Sequence, residues 1–286
     1  MSAPVAVGAY ASAPEAVASL PAAGASRRAA VLPRAALDDA ARIALRDADV
    51  ECLTTLDGGG LADAAWLATE LAAVLGWQRA AGPSIPSATG APGDVVGWYE
   101  LRIDGHALFT DRPITRLHGA RHYIASFNLL GQGRLNQACG ELLYRRLVDA
   151  GVSAAEVFDV AVCLETKAVG MAQVLVECFG LDRYVVLRKG VKNYMPREPR
   201  APLVEEASSI TTQGSQSIVL DPLDAPLVEG RRVLLVDDVI ATGGTVRGAE
   251  RLLRRAGAVV TASAAVLLKG PEPPLPRLTV LARPLL

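Results

Sequence analysis

The sequence predicts an α/β protein with a doubly wound, mostly parallel sheet, preceded by an N-terminal helical and hairpin extension. Apolar runs at 157–164, 184–187, 232–236 and 259–268 alternate with helical patterns at 134–150, 168–179 and 245–256. Strands that are apolar along their whole length are typical of parallel sheets covered by helices on both faces. The chain of 286 residues, 51% hydrophobic and 21% charged, is long enough to bury such a core.

The part of the chain before residue 121 differs in composition and in hydrophobic pattern. Residues 1–30 are rich in Ala, Pro, Ser and Gly, and we expect a disordered tail there. Residues 31–120 form the predicted extension, with helical spacing over 35–77 and a hairpin over 95–109 around Asp104-Gly105. Residues 121–286 form the predicted sheet domain.

Charge and composition exclude several classes of protein. With 29 basic and 30 acidic side chains, the net charge of -1 gives no general attraction for nucleic acids or anionic membranes. The first 26 residues lack Lys and Arg, so no secretory signal is predicted, and apolar runs are too short for a membrane span. The 4 cysteines are too widely spaced for a zinc site. We therefore expect a cytoplasmic protein with reduced thiols.

Ligands of parallel sheets bind beyond the carboxyl ends of the strands, which directs attention to the loops after Leu164, Leu187 and Val236. The last of these loops carries the strongest signal. Asp237 and Asp238 end a buried strand and are followed by a turn of small residues that opens a helix, Ala241, Thr242, Gly243, Gly244 and Thr245. Glycines and a helix N-terminus let backbone N–H groups surround a phosphate, while carboxylates suit ribose hydroxyls or a divalent cation. The segment therefore predicts a site for a phosphorylated ribose.

An acidic strand end also occurs in Walker B and response-regulator proteins. A Walker B strand needs a partner G-x-x-x-x-G-K-[ST] loop, which the sequence lacks, and neither class accounts for the Gly-Gly-Thr turn.

The segment 233–245 resembles the phosphoribosyl diphosphate-binding motif of type I phosphoribosyltransferases, and the resemblance extends over about residues 120–270. The segment 163–170 stands where that family carries its pyrophosphate-binding loop, and Arg188-Lys189-Gly190-Val191-Lys192 resembles a basic cluster of the adenine and xanthine enzymes. The segment Ser126-Phe127-Asn128 is similar to a base-recognition segment of xanthine phosphoribosyltransferases. The segment 209–213 is similar to part of their flexible region.

The resemblance implies Mg²⁺-dependent transfer of phosphoribose from phosphoribosyl diphosphate to a nitrogen of a nucleobase, a xanthine-like or adenine-like purine. Asp237, Asp238 and Lys167 would be catalytic, and the two carboxylates would hold Mg²⁺ mostly through the substrate. The substrate-binding residues would be Ala241, Thr242, Gly243, Gly244, Thr245, Glu165, Thr166, Arg188, Lys189, Lys192, Phe127 and Asn128. A homodimer is implied as well, with the extension forming a hood over the base. The segment 193–214 is long, polar and rich in Pro and Arg, and we expect it to act as a lid over the diphosphate.

Two alternatives stay open. A non-catalytic regulator could bind phosphoribosyl diphosphate without turnover, although residues 31–80 show no Lys- and Arg-rich recognition helix and no nucleic-acid partner is expected. A transferase with an unusual acceptor is the second alternative. His106, His118 and His122 lie outside the predicted core, and the pair at 118 and 122 lacks a third ligand for a metal site.

Overall fold

A computed structural model describes residues 5–20, 27–75, 78–81, 95–105, 108–116, 123–208, 215–270 and 272–284. These residues divide into two units. The first comprises Met1–Arg102, His106–Phe127 and Leu285–Leu286, and the second comprises Ile103–Gly105 and Asn128–Pro284. No helix in the described ranges is long and apolar enough to cross a membrane.

The first unit contains a mixed sheet in which seven strands are described. Its strands and helices are β1 Val5–Ala9, α1 Ala13–Ser19, β2 Arg27–Leu32, α2 Asp39–Asp47, β3 Val50–Thr54, α3 Leu61–Leu75, β4 Gln78–Ala81, β5 Val95–Ile103, β6 Leu108–Arg116 and β7 Tyr123–Ala125. The strand order is β4-β1-β2-β3-β5-β6-β7. Strands β4, β1, β2 and β3 are parallel, and β5 joins β3 in the antiparallel sense.

The expectation of a disordered tail over residues 1–30 is wrong for residues 5–20 and 27–30, because β1, α1 and the start of β2 lie there; residues 1–4 and 21–26 lie outside the described residues. Strand β1 lies between β2 and β4, and Val7 in it is fully buried. Helix α1 begins with a hydrogen-bonded cap in which Ser12 Oγ accepts from Glu15 N at 3.5 Å and Glu15 Oε2 accepts from Ala11 N at 2.9 Å. Strand β1, helix α1 and strand β2 thus form a regular βαβ unit in a segment of low-complexity composition.

The extension also differs from its prediction. It is a mixed sheet with helices rather than a helical segment with one hairpin, and the unit boundary falls after Phe127 instead of residue 120. Strand β3 interrupts the segment 35–77 that helical spacing predicted, because Asp49 adopts a positive φ of 52° and the five residues after it pair with β2. Asp104 and Gly105 of the predicted hairpin turn have φ values of 50° and 59°, as such turns require.

The second unit confirms the predicted α/β class. Its elements are α4 Gly133–Asp149, β8 Val160–Leu164, α5 Val169–Cys178, β9 Tyr184–Leu187, β10 Leu203–Ser208, β11 Ser215–Leu220, α6 Ala225–Val228, β12 Arg232–Ile240, α7 Gly244–Arg255, β13 Val259–Leu268 and β14 Leu278–Ala282. Five strands form a parallel sheet in the order β14-β13-β12-β8-β9.

Helices cover both faces of this sheet. Val233 and Leu235 of β12 share a buried cluster with Leu252 and Leu253 of α7. Because side chains alternate along a strand, Leu234 faces the opposite side of the sheet. On that side α4 and α5 pack against each other and against the sheet. Because β8, β9, β12 and β13 are parallel, their carboxyl ends lie along one edge of the sheet.

The segment 193–214, predicted as one long polar loop, contains a strand instead. Strand β10 pairs with β11 in an antiparallel hairpin from Leu203↔Leu220 to Ser208↔Ser215. The hairpin packs on α7, where a Cβ added to Gly248 would lie 2.8 Å from Ala207 Cβ and 3.0 Å from Ile218 Cδ1. Residues 209–214, which include the segment resembling the flexible region of the xanthine enzymes, lie outside the described residues.

Candidate functional site

The acidic pair and the glycine turn stand at the carboxyl end of β12, between β8 and β13. Gly243 precedes α7 with a φ of 74°, a left-handed conformation that favours glycine. A Cβ there would also lie 2.8 Å from Arg247 Nη1 and 2.9 Å from Pro273 Cβ. Gly244 and Thr245 begin the helix, whose first turn has no acidic residue. The amide groups of this turn can therefore receive an anion.

The two carboxylates of the pair have different surroundings. Asp237 is buried, and its Oδ1 accepts a hydrogen bond from the Asp238 backbone N–H at 2.8 Å. Burial and the charge of Asp238 raise the pKa of Asp237 well above its ordinary value, and the charge of Lys189 opposes the rise. Asp238 Oδ2 is buried without a hydrogen-bond partner among the described residues. Such an acceptor suits a ligand that brings hydroxyl donors or a cation.

The loops after β8 and β9 are joined by Glu165. Its Oε2 accepts a hydrogen bond from the Lys189 backbone N–H at 2.7 Å, and its Oε1 lies 3.6 Å from Arg188 Nη1. Arg188 is also fixed through its backbone, which exchanges two hydrogen bonds of 2.8 Å with Val219 of the hairpin. The peptide bond between Glu165 and Thr166 is cis.

A cavity of about 380 Å³ opens at these loops within the second unit. Its walls include Glu165, Thr166, Lys167 and Arg188, together with the segment 129–131 that precedes α4. Lys192 follows in the same basic loop, where its backbone N–H points to Met195 Sδ at 3.4 Å, but it does not line the cavity. Most of the predicted pyrophosphate-binding residues are thus gathered around one cavity.

Sequence reasoning missed Lys269, which directly follows β13. Its backbone N–H donates to the Ile240 carbonyl at 2.7 Å, beside the glycine turn. Burial lowers the pKa of Lys269 to about 8; the charge of Lys167 lowers it further, and that of Asp238 opposes this. The side chain therefore shares the electrostatic environment of the site. The sequence feature that could have identified Lys269 is its position directly after an apolar strand.

The two residues predicted to recognise the base fall in different units. Phe127 is buried in the first unit, with the guanidinium of Arg112 5.7 Å from its ring centroid. Asn128 begins the main segment of the second unit, where its Oδ1 accepts from the Leu130 backbone N–H at 3.2 Å. Asn128 thereby shapes the turn that lines the cavity.

His106, His118 and His122 lie outside the described residues. Within the ranges that the structure describes, no group of three or more His, Cys, Asp or Glu side chains could hold a metal ion. None of the four cysteines forms a disulfide, and Cys52, Cys139 and Cys163 are buried.

Comparison with known proteins identifies a family for the second unit and several relatives of the chain. Residues 128–281 match the family described as "Phosphoribosyl transferase domain". An adenine phosphoribosyltransferase of Mycobacterium marinum is 32% identical over 121 residues, which are 42% of this chain and 61% of that protein. One of Mycobacterium avium is 55% identical over 49 residues, 17% of this chain and 27% of that protein.

An orotate phosphoribosyltransferase of a Nocardioides species is 46% identical over 65 residues, 22% of this chain and 36% of that protein. The chain thus spans less than two thirds of the length of each of these relatives. Among solved structures, an adenine phosphoribosyltransferase of Thermoanaerobacter pseudethanolicus is 19% identical, with a TM-score of 0.44, and the match covers 59% of this chain and 90% of that one.

Proposed function

Since the chain belongs to the phosphoribosyl transferase domain family, we propose that it transfers phosphoribose from phosphoribosyl diphosphate to a ring nitrogen of a purine and releases pyrophosphate. The observation that carries this proposal is the meeting of three kinds of group at one edge of the parallel sheet. Asp237 and Asp238, the glycine turn of α7 and the basic loops after β8 and β9 all lie at strand carboxyl ends.

Each group has a role in this reaction. The turn from Ala241 to Thr245 binds the 5′-phosphate through backbone amides, and Asp237 and Asp238 accept hydrogen bonds from the ribose hydroxyls. The bond from C1 to the pyrophosphate oxygen breaks with its electron pair on oxygen, and the base nitrogen bonds to C1 and gives up its proton to water. Negative carboxylates near the sugar favour the positive charge that develops on it, while Lys167 and Arg188 neutralise the departing pyrophosphate.

The acidic pair fits a Mg²⁺ that is held mostly through the substrate. Two adjacent carboxylates, one with the buried acceptor Asp238 Oδ2 unpartnered among the described residues, supply oxygen ligands but not a complete coordination shell. Mg²⁺ prefers such sites, in which substrate phosphates and waters complete an octahedron. When bound, it would reduce the negative charge of the diphosphate.

The names of the relatives support a purine acceptor, because those from the two mycobacteria are called adenine phosphoribosyltransferases. Xanthine stays a candidate on the resemblance around Phe127 and Asn128. The homodimer, the cytoplasmic location and the hood formed by the N-terminal extension stay predictions.

The test is pyrophosphate release from phosphoribosyl diphosphate and Mg²⁺ with adenine, xanthine, guanine, hypoxanthine and orotate as separate acceptors. We expect turnover with one purine. D238N should abolish that turnover, whereas D182N should retain it, because Asp182 is exposed and precedes β9 at the opposite edge of the sheet.

Tight binding of phosphoribosyl diphosphate without turnover of any acceptor would contradict the proposed transfer and favour a non-catalytic regulator. Turnover with orotate alone would replace the purine by a pyrimidine acceptor and leave the reaction class unchanged.

A further inference from the structure

Glu165 places a carboxylate in the middle of a basic site. We propose that Glu165 is a positioning residue that holds the loop of Arg188 and Lys189 in the conformation that receives pyrophosphate, and does not itself contact the substrate. This inference rests on the proposed function and deepens it, because it assigns to one side chain the preorganisation of the leaving-group site.

The contacts of Glu165 are directed at the neighbouring loop. One carboxylate oxygen accepts the Lys189 backbone N–H at 2.7 Å, and the other lies 3.6 Å from Arg188 Nη1. The Glu165 backbone N–H donates to the Leu187 carbonyl at 2.9 Å, so the main chains of the two loops are in register as well. Glu165 is therefore bound both to the backbone of the basic loop and to the side chain of Arg188.

The charge of Glu165 argues against a direct contact with the leaving group. A carboxylate facing pyrophosphate would repel it. Glu165 lines the cavity, but only 17% of its side chain is exposed, and its two carboxylate oxygens are directed at the neighbouring loop. Arg188 keeps 35% of its side chain exposed at the cavity wall, where it can face a ligand. Two further contacts, with the Tyr194 hydroxyl at 3.2 Å and with the backbone of Val219, hold Arg188 in place without adding a negative charge. Holding the cation in place before the substrate arrives reduces the entropy lost on binding.

The positioning role predicts a loss of affinity when the carboxylate is removed. Binding of inorganic pyrophosphate and of ribose 5-phosphate is measured by calorimetry, with Mg²⁺ present, for the wild type, E165Q, E165A and the exposed control E177A. We expect E165A to weaken pyrophosphate binding by about tenfold or more, the equivalent of one charged hydrogen bond. E165Q, which can still accept from Lys189 N–H, should lose less. Ribose 5-phosphate, which lacks the leaving group, should bind all four proteins alike.

The opposite sign would overturn the inference, since a carboxylate that faces the ligand directly would make E165A and E165Q bind pyrophosphate more tightly. Equal weakening of both ligands, with a lower unfolding temperature, would mean that Glu165 is merely structural and would overturn it too. So would a wild type that binds no pyrophosphate.

A double-mutant cycle identifies the route of the effect. If Glu165 acts through Arg188, E165A should weaken pyrophosphate binding less in an R188M background than in the wild type. Additive effects would contradict action through Arg188. Failure of the proposed function has a different signature: the variants follow the expected pattern with pyrophosphate, but the wild type turns over no acceptor.

Discussion

The buried charge of Lys269 is expected to lower the free energy of unfolding of the protein. Replacing Lys269 by methionine should therefore raise it. Burial and the charge of Lys167 both disfavour the Lys269 ammonium, which lowers its pKa from 10.5 to about 8. Methionine keeps an unbranched side chain of similar length without the charge. K269R keeps the charge at every accessible pH and is the matched control.

The magnitude follows from the lowered pKa. Each pKa unit corresponds to about 1.4 kcal/mol, so a pKa that falls from 10.5 to about 8 sets an upper bound of about 3 to 4 kcal/mol on the cost of the charge. Because the side chain retains partial access to solvent, we expect a gain of about 1 to 3 kcal/mol for K269M at pH 7.

The pH dependence identifies the charge as the cause. Between pH 8 and 10.5 the unfolded wild type binds a proton that the folded protein has released, so its stability rises with pH over that window. The advantage of K269M should therefore be largest at pH 7, shrink above pH 8 and vanish near pH 10.5.

Urea denaturation of the wild type, K269M and K269R at pH 7, 8, 9 and 10 measures this difference directly. K269R should show neither the higher stability at pH 7 nor a difference from the wild type that shrinks as the pH rises. A K269M protein that is less stable than the wild type at pH 7, or whose advantage does not change with pH, would refute the reasoning. Groups that titrate elsewhere in the chain cancel in the comparison between variants.

Three further outcomes are expected. D237N should reduce kcat/KM by about 100-fold or more, because it removes a carboxylate that favours the positive charge developing on the ribose. It should not lower the stability in urea, because burial disfavours the charge of Asp237 in the free protein and asparagine can accept the same backbone hydrogen bond; parallel loss of stability would contradict this. G248L should lose about 1 to 3 kcal/mol by displacing the β10–β11 hairpin from α7, whereas G133A, whose added methyl meets no atom within 4 Å, should not. Hydrogen bonds from Arg232 lower the pKa of Asp159 to about 2, so D159N should lose about 1 kcal/mol at pH 7, and its difference from the wild type should disappear as the pH falls from 3.8 to 2.

The core of the site could be predicted because its signals are local. A buried strand, two carboxylates, a glycine that needs a positive φ and a helix start follow one another within residues 232–255, and each acts on its neighbours in the chain. The bounds of β9 and β13 agree with the predicted strands for the same reason, since an uninterrupted apolar run between polar residues defines a buried strand.

The N-terminal unit was mispredicted where partners distant in sequence decide the conformation. Small residues in 5–9 have no strong preference of their own, and they form a strand because β2 and β4 pair with them on either side. One local signal was available and overlooked: Ser12 and Glu15 are spaced as helix-capping residues.

The order of strands in the folded sheet determined which charged groups meet. Lys269 reaches the site because β13 lies beside β12, and Glu165 binds the loop after β9 because β8 and β9 are neighbours. The sequence by itself determined the strand, the acidic pair and the phosphate turn, whose interactions span a few residues. The partners of Glu165 and Lys269 were decided by tertiary structure, because pairing between strands far apart in the chain depends on burying the whole sheet at once and leaves no local signal.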